Sequence, residues 1–298
     1  MTDLDDALAT FTSVRPRLFG IAYRMLGSAS EAQDIVQEAW LRWQACDRAA
    51  VLQPAAFLAT TTTRLAINYA QSARARRETY IGPWLPEPVD TSSDPLLGAE
   101  RGEALGFAVL LLLENLTPTE RAAYVLREAF DYPYAQIAEV IQHTEASARQ
   151  LVSRARKRLV AEKRSRATAP EQRRLLAAFL DAAQSGDVHS LERLFAEDVV
   201  SYTDGDGVAL AARIPMFGRS RVAKFVAAFS SHFWTGASID WIETNGQPAA
   251  RLTRDGSVYA IVTAELGLGG VEKLLWFMNP QKIAGFGEGV TIGRLSRS

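Results

Sequence analysis

The chain is 298 residues long, 48% hydrophobic and 22% charged, with a formal net charge of −1. That length and apolar content predict two or three domains with cores of their own, and a near-zero total leaves any nucleic-acid footprint to local clusters. The single cysteine, Cys46, excludes an intrachain disulfide and reads as a small packed hydrophobe in a reducing compartment.

Residues 1–6 are acidic and lack the apolar core of a signal peptide, so a soluble cytoplasmic protein with no membrane partner is expected. From about residue 8 to residue 80 the pattern is helical. Residues 31–43 form one predicted helix with two faces. Glu31, Asp34 and Glu38 fall at i, i+3 and i+7, while Ile35, Val36, Ala39 and Trp43 supply apolar contact. An acidic stripe beside apolar anchors suits docking on a basic partner helix; the plain alternative is a solvated face. A second helix opens at Pro54, runs through Thr63, Arg64, Leu65 and Ala66, and ends in a basic run with Arg74, Arg76 and Arg77. Next to Tyr69 and Tyr80, that basic end suits tracking phosphates and stacking an unpaired base.

Between Gly82 and Gly102, Pro83, Pro86, Pro88 and Pro95 forbid a helix interior. Helices resume over residues 104–165. The apolar run 104–113 is too short to cross a bilayer and reads as a buried helix. Residues 134–141 form a short helix with Ile137, Ala138 and Ile141 on one side, residues 142–144 make a turn, and Thr144 suits an N-cap. The next helix carries Ala148, Leu151, Val152, Ala155 and Leu159 on one stripe and Ala146, Arg149, Gln150, Ser153 and Lys157 on the other. Arg and Gln suit guanine and adenine edges in the major groove, so this is a helix-turn-helix with its recognition helix second. From Arg149 to Arg166 there are eight basic residues and one acid, Glu162. The bland alternative is an amphipathic hairpin with a solvated face.

After Pro170 two helices give way to strand-like runs at residues 199–203, 249–253, 257–266 and 271–278, the last two joined by a turn at residues 267–270. The C-terminal third is predicted as an α+β domain with a curved antiparallel sheet. No internal repeat is visible.

The helix following Asp34, the Thr63–Ala66 stretch with its arginine-rich end, the Leu116–Ala122 stretch and the helix-turn-helix, in that order, resemble a bacterial sigma factor of the extracytoplasmic-function class over residues 8–163. The resemblance implies a multidomain chain. Two all-α sigma domains come first: region 2 as a helical bundle over residues 1–80 and region 4 with the helix-turn-helix over residues 104–165, joined by a Pro-rich linker over 81–103. Core RNA polymerase and promoter DNA are the implied partners. Region 2 would dock on the β′ clamp helices through Asp34, Gln37 and Glu38, and open the −10 element with Arg64, Arg74, Arg76 and Arg77. Region 4 would bind the β flap and read the −35 element with Ala146, Arg149, Gln150, Ser153, Arg154 and Lys157. Asn68 stands where the subfamily has Asp, and no base contact is assigned to it.

Residues 79–88 match the linker motif of sigma factors that carry a SnoaL-like C-terminal extension. The stretches 204–207 and 279–283 match two motifs of that extension, although the first is less glycine-rich than the family pattern and Gln281 replaces an Asp. This implies a SnoaL-like, ketosteroid-isomerase-like α+β cone domain over residues 170–298 that acts in cis, with no separate anti-sigma factor required. Trp84, Leu85, Pro86, Glu87 and Pro88 are expected to meet Asp204, Asn279, Pro280 and Lys282, with the aromatic end of the last strand around Trp276 burying Trp84; the plain alternative is that Trp84 packs on its own region 2.

Related folds also host isomerases and cyclases, which place a carboxylate base in an apolar pocket with Tyr, His or Asp donors. Tyr202, Asp204, Asp206 and His232 are the candidates. Asp204 to Gly207 reads more simply as a turn with poorly buried acids, and Val208 and Pro215 stand where a calcium loop needs oxygen ligands. His143, His189 and His232 are too far apart in sequence to suggest a metal site. No catalytic residue, metal or cofactor is expected. A small-molecule ligand in the C-terminal pocket stays open. So do two rivals: a ligand-responsive helix-turn-helix regulator that never joins polymerase, and a SnoaL-type isomerase or cyclase tethered to DNA.

Overall fold

The structure is a computed structural model. It describes residues 3–77, 79–91, 106–160, 168–208 and 211–287, excluding the side chains of residues 3, 4, 73–77 and 160. The chain forms two compact units: Met1–Thr79 with Pro95–Lys163, and Tyr80–Asp94 with Arg164–Ser298. The first part of the Pro-rich segment therefore folds with the C-terminal unit.

In the first unit α1 (Asp3–Leu26), α2 (Ala29–Ala45) and α3 (Pro54–Arg77) pack on one another. Helix α2 starts where the Ser28 hydroxyl accepts the Glu31 N–H at 3.3 Å. Its apolar residues Ile35, Val36, Ala39 and Trp43 are all buried within the unit, and Trp43 Nε1 donates to the Ala7 carbonyl at 3.2 Å. They build the protein's own core and are not anchors for a partner. Cys46 is half-buried at the C-terminal cap of α2.

Four further helices follow: α4 (Phe107–Leu113), α5 (Pro118–Phe130), α6 (Tyr134–Ile141) and α7 (Glu145–Val160). A capping box fixes the start of α5, with Thr117 and Glu120 satisfying each other's backbone N–H groups behind Pro118. Gln142, at φ 58°, turns the chain between α6 and α7, and the Ser147 N–H donates to the Thr144 hydroxyl at 3.2 Å. The stripe of Ala148, Leu151, Val152, Ala155 and Leu159 is buried along α7. Among the described residues no helix is long and apolar enough to cross a membrane.

The second unit holds α8 (Ala169–Ser185), α9 (Val188–Leu194), β1 (Phe195–Asp204), β2 (Met216–Phe217), α10 (Arg219–Ala228), α11 (Ser230–Phe233), β3 (Ser238–Thr244), β4 (Gln247–Arg254), β5 (Ser257–Gly267), β6 (Gly270–Phe277) and α12 (Pro280–Ile283). The strands form one sheet in the order β2-β1-β6-β5-β4-β3. The sheet is mixed, which corrects the antiparallel expectation. Hairpins make β3 to β6 an antiparallel meander, but β1 pairs with β6 in parallel. No hairpin joins β1 to β6, so nothing local forces them to oppose. The edge strand β3 was not anticipated, although its alternating pattern ends in an Asn245-Gly246 turn with φ values of 54° and 70°.

Along β5 both faces are buried. Ala260, Val262 and Ala264 join the core shared with α8 and α10, while Ile261 and Thr263 point the other way. That second face, which includes Leu275 and Phe277, is covered by α12 and by the linker, whose Leu85 is fully buried.

Candidate functional site

Three surfaces carry the residues singled out in the sequence. On α2, Asp34 and Gln37 are exposed and Glu38 is half-exposed. Glu38 accepts a 2.9 Å bond from Arg42. Glu31 is drawn out of the acidic stripe by the Tyr69 hydroxyl, which donates to it at 3.1 Å. One residue on this face was missed: Leu41, 51% exposed, lies seven residues after Asp34 and four after Gln37. It is an apolar group next to the acids that the core does not use.

On α7, Ala146, Arg149, Gln150, Ser153, Arg154 and Lys157 all face solvent. Arg149 is held ready, bonded to Glu145 at 2.5 Å and lying over the Tyr134 ring at 4.5 Å. Arg154 lies 3.8 Å from Glu120, which also takes Arg158 at 3.0 Å. Burial works against the Glu120 anion, but the Thr117 N–H and hydroxyl, then Arg158 and Arg154, outweigh it and hold the carboxyl below its usual range. Arg156 makes two bonds to Glu128 on α5, at 3.2 and 2.7 Å, and so ties α7 to α5.

The basic residues of α3 divide. The side chains of Arg74, Arg76 and Arg77 lie outside the described residues. Arg64 donates to the Glu139 carbonyl at 2.8 Å and the Val140 carbonyl at 3.0 Å. It therefore caps the C-terminal end of α6, where carbonyls lack helical partners and a cation is favoured. Arg121, almost fully buried, adds a second tie by donating to the Met25 carbonyl at 2.6 Å and to Glu114 at 2.7 Å.

The third surface is a clamp on the linker. Asp204, fully buried, accepts the Leu85 N–H at 2.8 Å and Lys282 Nζ at 2.6 Å on one oxygen, and the Tyr80 hydroxyl on the other. Asn279 donates to the Tyr80 oxygen at 2.8 Å, and Lys282 donates to the Leu85 carbonyl at 2.5 Å. Lys282 Nζ also lies 4.4 Å from the Trp84 ring centre and 5.3 Å from that of Tyr80. Burial, then the bond to the Asp204 carboxylate, push the Tyr80 phenol far up and keep it protonated. Pro86 and Pro88 are buried and Glu87 is half-buried; Pro280 and Gln281 are exposed on the first turn of α12. Gln281 contributes through its backbone, whose N–H donates to Asn279 Oδ1 at 2.9 Å, while its side chain is exposed.

Farther along, the linker docks again. The Val89 N–H donates to Asn245 Oδ1 at 2.9 Å, the Asn245 N–H to the Val89 carbonyl at 3.0 Å, and the Thr91 N–H to the Glu243 carbonyl at 3.2 Å. Neither this second anchorage nor the role of Tyr80 was anticipated. Tyr80 is taken up by the clamp. Asp204 is likewise no exposed turn residue: its carboxylate closes β1 in a buried ion pair, and the turn begins after it. Trp276 faces the helices and does not bury Trp84; its Nε1 donates to the Ser201 hydroxyl at 3.1 Å.

Behind the clamp, on the helix side of the sheet, lies an apolar pocket of about 40 Å³. Phe225, Val226, Phe229, Phe233 and Trp234 form its walls. Trp276, Met278 and Thr203 come from the sheet. None of the acid–base candidates Tyr202, Asp204, Asp206 and His232 lines it.

Family models describe residues 10–76 as sigma-70 region 2 and residues 106–159 as sigma-70 region 4. The ECF RNA polymerase sigma factor SigJ of Mycobacterium tuberculosis is 38% identical over 234 residues, covering 77% of this chain and 75% of that protein. This chain belongs to the ECF RNA polymerase sigma factors. The probable ECF sigma factor SigI of the same organism is 28% identical over 288 residues, covering 95% of this chain and 97% of that one. The crystal structure of the extracytoplasmic function sigma factor SigJ matches with a TM-score of 0.74 and 32% identity over 93% of this chain and 98% of that one. This sigma factor directs transcription initiation. Its regions 2 and 4 are the parts that engage core RNA polymerase and promoter DNA, and the C-terminal domain with its mixed sheet follows them.

Proposed function

We propose that this sigma factor docks on the β′ clamp helices through Asp34, Gln37, Glu38 and Leu41, and reads the −35 element through Arg149 and Gln150 with Ala146, Ser153, Arg154 and Lys157 beside them. The basic end of α3, Arg74, Arg76 and Arg77, serves the −10 element. Arg64 joins them only after leaving the carbonyls of α6. The organisation is region 2 over residues 1–80, linker 81–103, region 4 over 104–165 and a SnoaL-like regulatory domain over 170–298, in a cytoplasmic protein. The C-terminal domain controls the sigma regions in cis by gripping the linker, with no separate anti-sigma factor required and no catalytic step. The carrying observation is the buried Asp204–Lys282 pair closed on Leu85 and Tyr80.

The test is transcription by core polymerase from a promoter selected with the wild-type protein. Reversing the charges of Asp34 and Glu38 is expected to abolish co-purification with core enzyme while leaving helical content unchanged. Co-purification at ordinary salt despite the double reversal rejects the docking face. Asp204→Asn is expected to free the linker and change promoter output, and unchanged output with a folded protein rejects control through the clamp.

A further inference from the structure

The pocket and the clamp stand back to back on the same two strand ends. Thr203 and Asp204 are the last residues of β1, and Met278 and Asn279 directly follow β6. Successive side chains leave a strand on opposite faces. Thr203 and Met278 therefore line the pocket while Asp204 and Asn279 hold Leu85 and Tyr80. The two ends are also bonded together, since the Asp204 carbonyl accepts the Met278 N–H at 2.7 Å and the Asn279 N–H at 2.9 Å. A shift of Thr203 or Met278 carries the clamp with it.

We propose that a neutral, single-ring aromatic molecule binds this pocket and, by completing the packing behind Thr203 and Met278, tightens the domain's hold on the linker. The inference rests on the clamp reading above. Chemistry sets the ligand class: the lining side chains carry no ionisable group, so a charged molecule would lose its water without compensation. Size sets the limit, because one water needs roughly 10–15 Å³ of such space and the pocket offers about 40 Å³. That is room for a few water-sized groups, which excludes a fused polyketide or steroid skeleton. Geometry favours an aromatic: Phe233 meets Trp276 edge-on at 5.4 Å and 87°, and an inserted ring extends that packing. The clamped form gains from the ligand because its Thr203 and Met278 positions make the pocket, and a ligand shifts an equilibrium only through such a difference in affinity.

The experiment titrates the full-length protein with phenol, toluene and benzenesulfonate, and follows amide exchange in the peptide spanning residues 80–91 by mass spectrometry. Phenol and toluene are expected to bind saturably and to slow exchange on the order of fivefold, a modest coupling. Benzenesulfonate should do neither. Val226→Phe, which fills the pocket, should lose binding, and Asp204→Asn should weaken phenol binding by the same factor as the phenol effect on exchange. The three wild-type titrations decide the matter even if Val226→Phe fails to fold. Absence of saturable phenol or toluene binding, equal binding of benzenesulfonate, or binding with unchanged linker exchange each overturns the inference. The clamp reading itself fails differently: ligand-free exchange over residues 80–91 would already be fast and indifferent to Asp204→Asn.

Discussion

At the scale of single residues, basic side chains that look alike in sequence have different work. Arg149 is 60% exposed at its side chain and is pre-oriented by Glu145 and Tyr134, as a groove-reading group near the start of a recognition helix should be. Arg149→Ala is expected to cost about 1–3 kcal/mol on the cognate −35 element and to relax preference at one position. Competition binding with single-base variants checks it, and an equal loss on every sequence would remove Arg149 from the specificity set. Lys157→Ala should instead weaken binding to all sequences and lower the salt slope by about one. The periodicity places Arg156 on the same basic run, but its bonds to Glu128 give it a structural task. Its loss should lower the melting temperature of the first unit and leave the salt slope unchanged. Glu120 adds a pH dependence. Its carboxyl is held below the ordinary value of 4.5; the stability it contributes is present above that value and is lost as pH falls through the lower folded value. Below pH 4.5, Glu120→Gln should flatten the acid-side fall of the melting curve; an unchanged acid limb removes Glu120 from that role.

At the scale of elements, the helices were legible because each signal is local. Thr117 with Glu120, Thr144 at the turn and the 3.6-residue stripe of α7 sit within a few residues of the structure they specify. The parallel pairing of β1 with β6 was not legible: its partners, such as Ser201 and Leu274, are far apart in the chain and no turn joins them. Nor can the sequence say that Arg64, apparently one more DNA contact on α3, would find the carbonyls of α6. Its position makes a prediction with two readouts. Arg64→Ala should speed amide exchange at the C-terminal end of α6, since both bonds to Glu139 and Val140 are lost. It should also loosen α3 from α6, seen as a broader distance distribution between spin labels on α2 and α7. Unchanged exchange and unchanged distances would mean that the contact carries no weight.

At the scale of the molecule, the proposed control through the linker clamp is a matter of reach. The −10 and −35 elements lie about 25 base pairs apart, or about 85 Å at 3.4 Å per pair, and the two sigma regions must separate to occupy both. While residues 80–91 are held by Asp204, Lys282 and Asn245, the ends of that segment keep a fixed separation, and of the linker only residues 92–103 are free to adjust. Extended fully, those twelve residues cover about 40 Å, whereas all of residues 80–103 cover about 80 Å. Opening the clamp therefore raises the freely extensible part of the linker from twelve residues to twenty-four without changing either DNA-reading surface. Removing residues 279–298 deletes Asn279 and Lys282 and should raise promoter output in transcription with core polymerase. Inserting twelve Gly and Ser residues after Asp94 should raise it too, with Asp204 and Lys282 intact, because it supplies the length that the clamp withholds. If deletion raises output and insertion does not, the C-terminal domain acts by covering a surface and the tether argument is wrong. Unchanged output in both would mean that the grip on the linker, however well bonded, does not govern initiation.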